Sequence, residues 1–235
     1  MKLAVDLHIH TALSPCADDD MTPCNIANMA ALKGLDAIAA TDHNCCFNAR
    51  AVAQCARDAG VVFIPGIEVT TSEETHMLVY FEEIEAAEVF GNMIYESLPD
   101  IPLKDGLFGS QLIINEKDTV TGKAEKLLAQ AAPYTVKLLQ QEAKRCGGLM
   151  IPAHINRQAY SILETLGFIP EDLELTTVEI RRNMPLPEVY RRWYNTISSS
   201  DAHMLFQILE REEFIEAEER TAKGILNALS EKWER

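Results

Sequence analysis

Seven short β-rich segments, at residues 3–7, 36–40, 61–64, 77–81, 149–152, 177–180 and 196–199, alternate with helical patterns along this chain. A strand can run parallel to its predecessor only after a long crossover, most often a helix, so the alternation predicts an α/β fold with a largely parallel sheet. Between the first two segments, Thr22-Pro23 followed by Ile26, Met29, Ala30 and Leu32 reads as an N-cap, a first-turn proline and an apolar stripe, closed by Gly34. Further helices are predicted over 48–60, ended by Gly60, and 134–146, ended by Gly147-Gly148, with later ones at 161–166, 188–193 and 221–233. The stretch 82–133 breaks the rhythm: it is rich in acidic residues, Gly, Pro and Asn. It is expected to pass over the mouth of the fold as an excursion with a helix somewhere within 123–132. No repeat, low-complexity tract or linker divides the sequence, and 235 residues with 47% hydrophobic content supply one full core, so a single domain over 1–235 is expected.

Charge and cysteine usage narrow the function. A formal net charge of −15 sets a repulsive field against any polyanion, so extended nucleic-acid binding is not expected, whereas a small phosphorylated molecule remains compatible. Three bound divalent cations would offset part of that acidity, by about six charges. No apolar run approaches the roughly 18 residues of a membrane span, and the expectation is a cytoplasmic, unprocessed protein with no membrane partner. The six cysteines, Cys16, Cys24, Cys45, Cys46, Cys55 and Cys146, are expected to be free thiols, since a domain of this size needs no staples. A thiolate metal site near Cys16, Cys24 or Cys45-Cys46 competes with that reading. The spacings form no C-x-x-C pair, which favours buried small hydrophobes.

All six histidines end, open or closely follow a predicted strand. His8 and His10 lie two apart just past the first, so in extended geometry both imidazoles point to one face. His43 follows the second strand, His76 opens the fourth eight residues after Glu68, and His154 follows the fifth. Asp201 and His203, again two apart, follow the last. In a parallel barrel the C-terminal strand ends share one rim, where these side chains would meet. Imidazole and carboxylate donors suit zinc, manganese or iron, and placement at strand ends favours a catalytic site with open positions.

The same residues carry a family resemblance. Asp6-Leu7-His8-Ile9-His10-Thr11, Thr41-Asp42-His43-Asn44, Ala153-His154 and Ser199-Ser200-Asp201-Ala202-His203, with Gly66-Ile67-Glu68-Val69 and His76 between, resemble the PHP family, named for polymerase and histidinol phosphatase. The resemblance implies a distorted (β/α)7 TIM-like barrel that carries three divalent metal ions (Zn, Mn or Fe). It implies that His8, His10, Glu68 and Asp201 hold the first ion, and that Glu68 bridges to a second held by His76 and His154. Asp18, His43 and His203 would hold the third. Asp18-Asp19-Asp20 offers three carboxylates, of which Asp18 lies four residues before Thr22-Pro23, as the matching acid does in similar sequences. Arg157, three residues after His154, resembles an arginine that some phosphoesterase members set against the substrate phosphate, and a guanidinium fork fits two phosphoryl oxygens. Asp42 is expected to orient a ligand or cap a turn. Glu179 ends a strand but lies outside the implied ligand set.

Together these features predict a metal-dependent phosphoric ester hydrolase that uses metal-activated hydroxide at a trinuclear site. The expected substrate is a small phosphomonoester: a nucleotide, a sugar phosphate or histidinol phosphate. A phosphodiesterase or exonuclease of the same family is one alternative, and a metal-binding regulatory module without turnover is another.

Overall fold

The computed structural model describes residues 1–103 and 109–233. Each of the seven β-rich segments forms a strand: β1 (Lys2–Ile9), β2 (Ala37–Ala40), β3 (Val62–Thr70), β4 (His76–Tyr80), β7 (Leu149–Pro152), β8 (Thr177–Glu179) and β9 (Asn195–Ile197). Three further strands are β5 (Leu112–Ile114), β6 (Val120–Lys123) and β10 (Phe214–Glu216). The helices are α1 (Pro23–Leu32), α2 (Ala49–Asp58), α3 (Ile84–Ser97), α4 (Val136–Arg145), α5 (Ile162–Leu166), α6 (Glu188–Trp193) and α7 (Ala222–Ser230). The Thr22 side chain caps α1 by accepting from the Asn25 N–H, and Gly34 and Gly60 leave α1 and α2 with φ of 70° and 74°, values that glycine alone reaches without strain.

The architecture is α/β with a curled, mixed sheet. Six strands pair in the order β10-β1-β2-β3-β4-β7. β1, β2 and β3 run parallel, whereas β4 is antiparallel to both β3 and β7, and β10 is antiparallel to β1. The expected largely parallel sheet is therefore corrected to a mixed one. The reason is local: only residues 71–75 separate β3 from β4, too few for a crossover, and Thr71 closes the turn by donating its N–H to the Thr75 carbonyl at 2.8 Å. β8 and β9 form a separate parallel pair. That pair reaches the main sheet at both sides, since Ile155 N–H donates to the Glu179 carbonyl (2.9 Å) and His10 N–H to the Ala202 carbonyl (2.9 Å).

Burial on both faces explains why the central strands read as unbroken apolar runs. In β2, Ala37, Ile38 and Ala39 are fully buried and Ala40 nearly so. Leu7, Ala39, Ile64, Leu78, Tyr80, Ile151 and Ile197 fill the concave side of the sheet, where the Tyr80 hydroxyl donates to the Leu7 carbonyl at 2.7 Å. α1 and α2 cover one part of the convex side and α3 and α4 another.

The stretch 82–133 departs from expectation. Residues 104–108 of it lie outside the described residues. Its helix is α3, at the start, and its middle is the β5-β6 hairpin. Ala87, Phe90, Gly91 and Ile94 carry the helical spacing of α3, and Gly91 breaks nothing: a Cβ there would stand 2.4 Å from the buried Cys46 Sγ, so glycine lets α3 approach. No helix forms within 123–132, because the backbone groups there bond to other segments. Leu127 N–H donates to the Ile101 carbonyl, Ala132 N–H to that of Thr70, and the Asn44 amide donates to the carbonyls of Leu128 and Gln130. The cysteines also differ from the all-thiol expectation. Cys24 on α1 and Cys55 on α2 form a disulfide with Cα atoms 5.1 Å apart, while Cys16, Cys45, Cys46 and Cys146 are free. The helices pack side by side, a proximity that a separation of 31 residues does not announce.

Candidate metal centre

β1 delivers His8 and His10 to one face, both fully buried. Each ring is held from behind. His8 Nδ1 lies 3.0 Å from Glu179 Oε2, so it donates there and its Nε2 is left as a lone-pair donor. Ser14 Oγ donates its one proton to Asp42 Oδ1 at 2.7 Å and therefore accepts from His10 Nδ1 at 2.9 Å, which frees His10 Nε2 in the same way. Asp42 also accepts from the Thr11 N–H and hydroxyl, each at 2.7 Å, and so anchors the loop after β1.

Glu68, at the far end of β3, is the hub. Its Oε1 lies 2.8 Å from His76 Nδ1, 3.3 Å from His154 Nε2 and 3.4 Å from His8 Nε2. Its Oε2 lies 3.1 Å from His43 Nδ1 and 3.4 Å from His10 Nε2. The tight β3-β4 turn makes the first of these contacts: Glu68 pairs with Leu78, so His76 is its diagonal neighbour on the same face. Asp201 adds Oδ1 at 3.4 Å from His8 Nε2 and 3.3 Å from His10 Nε2. Its Oδ2 is 3.2 Å from an Arg157 Nη and 3.8 Å from one of Arg181. His203 turns its Nδ1 to the Asp201 carbonyl (2.8 Å) and its Nε2 to Cys16 Sγ (3.1 Å). His154 and Asp201 hold positive φ, 28° and 54°, a strain of about 1–3 kcal/mol each that persists where surrounding contacts dictate it. For His154, the Glu179 carboxylate accepts its N–H at 2.9 Å.

Close as they stand, several of these buried atoms make no hydrogen bond of good geometry among the described residues: both oxygens of Glu68, Nδ1 of His43 and of His76, and both nitrogens of His154. A buried polar atom left unpaired costs about 1–3 kcal/mol, and six in one cluster are the mark of a site built for a different partner. The charge balance fits a cation. Burial opposes ionisation of Glu68, but the imidazoles of His76, His8 and His43 outweigh it and hold the carboxyl well below the usual range. Burial keeps His76 neutral, bringing it down to about 4 despite Glu68, and burial with His203 and His43 nearby does the same for His10. The donors form three groups: His8, His10 and Asp201; His43, Glu68 and His76; and His10, Cys16, His43 and His203. They sit beneath a cavity of about 460 Å³ whose lining includes Arg157, Tyr160 and, from the excursion, Ala129, Gln130 and Ala131.

The structure thus brings together His8, His10, His43, Glu68, His76, His154, Asp201 and His203, with Arg157 at the edge. Asp18 is not among them. It is exposed, joins none of the donor groups among the described residues, and spends its backbone N–H on the His203 carbonyl at 3.0 Å. Turns at 14–17 and 18–21 set Cys16 against His203 in its place. Two more contributors are Glu179, noted in the sequence but kept outside the implied ligand set, and Ser14, which was not singled out. Glu179 had a signal, an acid ending a strand; Ser14 had none.

The family model for the PHP domain matches residues 6–164. No curated protein sequence matches the chain. Among solved structures, the lesion-specific endonuclease Q of Pyrococcus furiosus superposes with a TM-score of 0.68 at 19% identity, over 98% of this chain and 56% of that one. Endonuclease Q in complex with a 27-mer duplex substrate, with an abasic lesion at the active site, gives a TM-score of 0.68 at 18% identity, over 97% of this chain and 56% of that one. A two-domain protein from Bacteroides vulgatus, containing a predicted PHP-like metal-dependent phosphoesterase, gives 0.60 at 22% identity, over 98% of this chain and 63% of that one. The chain therefore spans little more than half the length of these neighbours. The fold and the donor cluster together form a site whose imidazoles and carboxylates could hold metal ions. The chain belongs to the PHP domain family, whose model covers most of it, from the first metal-ligand motif through α4 and β7 into α5. Among the described residues no helix is long and apolar enough to cross a membrane.

Proposed function

We propose that the protein hydrolyses small phosphomonoesters at a centre of three divalent cations, zinc, manganese or iron. The observation that carries this reading is the group of buried, unpartnered donor atoms around Glu68, opening into a cavity edged by Arg157. His8, His10, Glu68 and Asp201 would hold one ion, and Glu68, His76 and His154 a second. His43 and His203 would hold a third with one more donor from the loop between Ser14 and Asp20. Cations held there polarise phosphoryl oxygens and bring the pKa of water toward neutrality. Glu179 and Ser14 keep the Nε2 lone pairs of His8 and His10 aimed inward. Arg157, whose side chain is 39% exposed, offers its fork to a phosphate and can leave Asp201 Oδ2 when one arrives.

The scaffold supports a finer reading too. β1, β2, β3, β4 and β7 with β8 and β9 follow one another around a distorted ring of seven strands, joined at Glu179 and Ala202. The net charge of −15 favours a single phosphate over a polyanion. A second reading, cleavage of diester bonds in nucleic acid, is supported by the likeness of fold to endonuclease Q. The experiment that separates them assays the metal-loaded chain on a mononucleotide, a sugar phosphate, histidinol phosphate, a single-stranded oligonucleotide and a duplex with an abasic site. Turnover of a monoester exceeding that of every diester is expected. Faster diester cleavage would replace the first reading with the second, and a chain that binds metal but turns over nothing would make it a binding module.

A further inference from the structure

We propose that the thiolate of Cys16, not a carboxylate of the neighbouring acidic run, is the third protein ligand of the third cation. The proposal rests on the three-cation reading and says what completes it. Cys16 Sγ lies 3.1 Å from His203 Nε2, and Cys16, His10, His43 and His203 each place a donor atom within 4.8 Å of the others. His10 Nε2 is committed elsewhere, 3.3 Å from Asp201 Oδ1 and 3.2 Å from His8 Nε2. That leaves Cys16, His43 and His203: one sulfur, two nitrogens and an open position toward the cavity that all three line. A second observation points to a ligand at this spot. His43 is only 8% exposed, and its Nδ1, 3.1 Å from Glu68 Oε2 at the border of this group, makes no hydrogen bond among the described residues. The alternative donors fail on position: Cys16 is exposed like Asp18, Asp19 and Asp20, but among the described residues it alone of the four enters a donor group. The hydrogen bond from Asp18 N–H to the His203 carbonyl, with the turn from Ser14 to Ala17, holds the loop so that Cys16 is the residue that faces the imidazoles.

Two consequences follow. Loading releases the thiol proton to solvent as the Cys16–metal bond forms. The third position also selects softer ions, zinc, cobalt or iron, over manganese and magnesium, because thiolate prefers polarisable metals. The test titrates the metal-free chain with cobalt(II), following metal per chain and the near-ultraviolet thiolate-to-cobalt charge-transfer band. Wild type should bind three ions and show the band; Cys16→Ser should bind two and show none; Asp18→Ala should match wild type. Alkylation of the wild-type chain by iodoacetamide, mapped by peptide mass, supplies a check that needs no variant: Cys16 should react in the metal-free chain and be protected at least tenfold after loading. Three bound ions without a charge-transfer band, an unprotected Cys16, or loss of one ion in Asp18→Ala but not in Cys16→Ser would overturn the assignment and leave the three-cation reading standing. A chain that takes up no cobalt, zinc, manganese or iron would overturn both.

Discussion

Individual side chains divide here into donors and the groups that aim them. Glu179 illustrates the second role: one carboxylate accepts from His8 Nδ1 and from the His154 N–H, so it sets one imidazole and the backbone of another. Arg157 is different, because its guanidinium pairs with Asp201 and fills no donor group among the described residues. Arg157→Ala should therefore leave metal content unchanged while reducing turnover of a monophosphate by about tenfold to a thousandfold, the scale on which a charge-stabilising donor acts. Steady-state kinetics with parallel elemental analysis makes the comparison, and wild-type turnover in the variant would remove Arg157 from the site. At this scale the histidines were legible because each sits at a strand end, where a two-residue spacing dictates a shared face. Asp18 lies outside the donor groups among the described residues for a physical reason. Three adjacent acids and a cysteine lie within five positions, and which of them turns inward depends on turns pinned by a residue 185 positions away, His203.

Among the elements, α3 and the β3-β4 turn did most to shape the site's surroundings. The turn spans residues 71–75 and forces antiparallel pairing, which is what sets His76 2.8 Å from Glu68. α3 lies on the convex face, and its contact with Cys46 tolerates no Cβ at Gly91. Gly91→Ala gains helix propensity, yet the overpacking against Cys46 should leave a net loss of about 1–2 kcal/mol. Adding Cys46→Ala should return part of that loss if the clash is its cause, a coupling that a double-mutant cycle in urea measures. Equal losses with and without Cys46 would place the cause elsewhere. The apolar positions of α3 were present in the sequence, but the acidic residues, glycine and asparagine around them masked the period. A glycine required for close approach looks the same in sequence as one that ends a helix.

For the whole molecule, burying Glu68, Asp201 and five imidazoles together makes sense only if something repays their desolvation. A cation bound to the folded chain alone adds stability, about 2.7 kcal/mol at a hundred times its Kd. Stripping the metal with a chelator should then lower Tm by about 5–10 °C for a chain of this length, and adding zinc or manganese back should restore it. The difference should grow as pH rises. Burial opposes protonation of His8 and His43, but the neighbouring carboxylates, Glu179 and Glu68 for His8 and Glu68 for His43, raise both well above the usual imidazole value. The metal-free fold is thus stabilised by those protons below about pH 6.5 and loses that support as pH climbs through the raised values, while cation binding strengthens as the same protons leave. Calorimetry at two pH values checks this, and an unchanged Tm after chelation would count against structural dependence on metal. The sequence by itself determined the alternation of strand and helix, the seven strand segments and the histidines that meet in one cluster, because strand period and helix caps are local properties. Only the tertiary structure decided strand direction at β4, the Cys24–Cys55 link, the absence of a helix within 123–132 and the placing of Cys16 against His203. Each of these depends on which distant backbone group or side chain arrives alongside, and no local pattern encodes that.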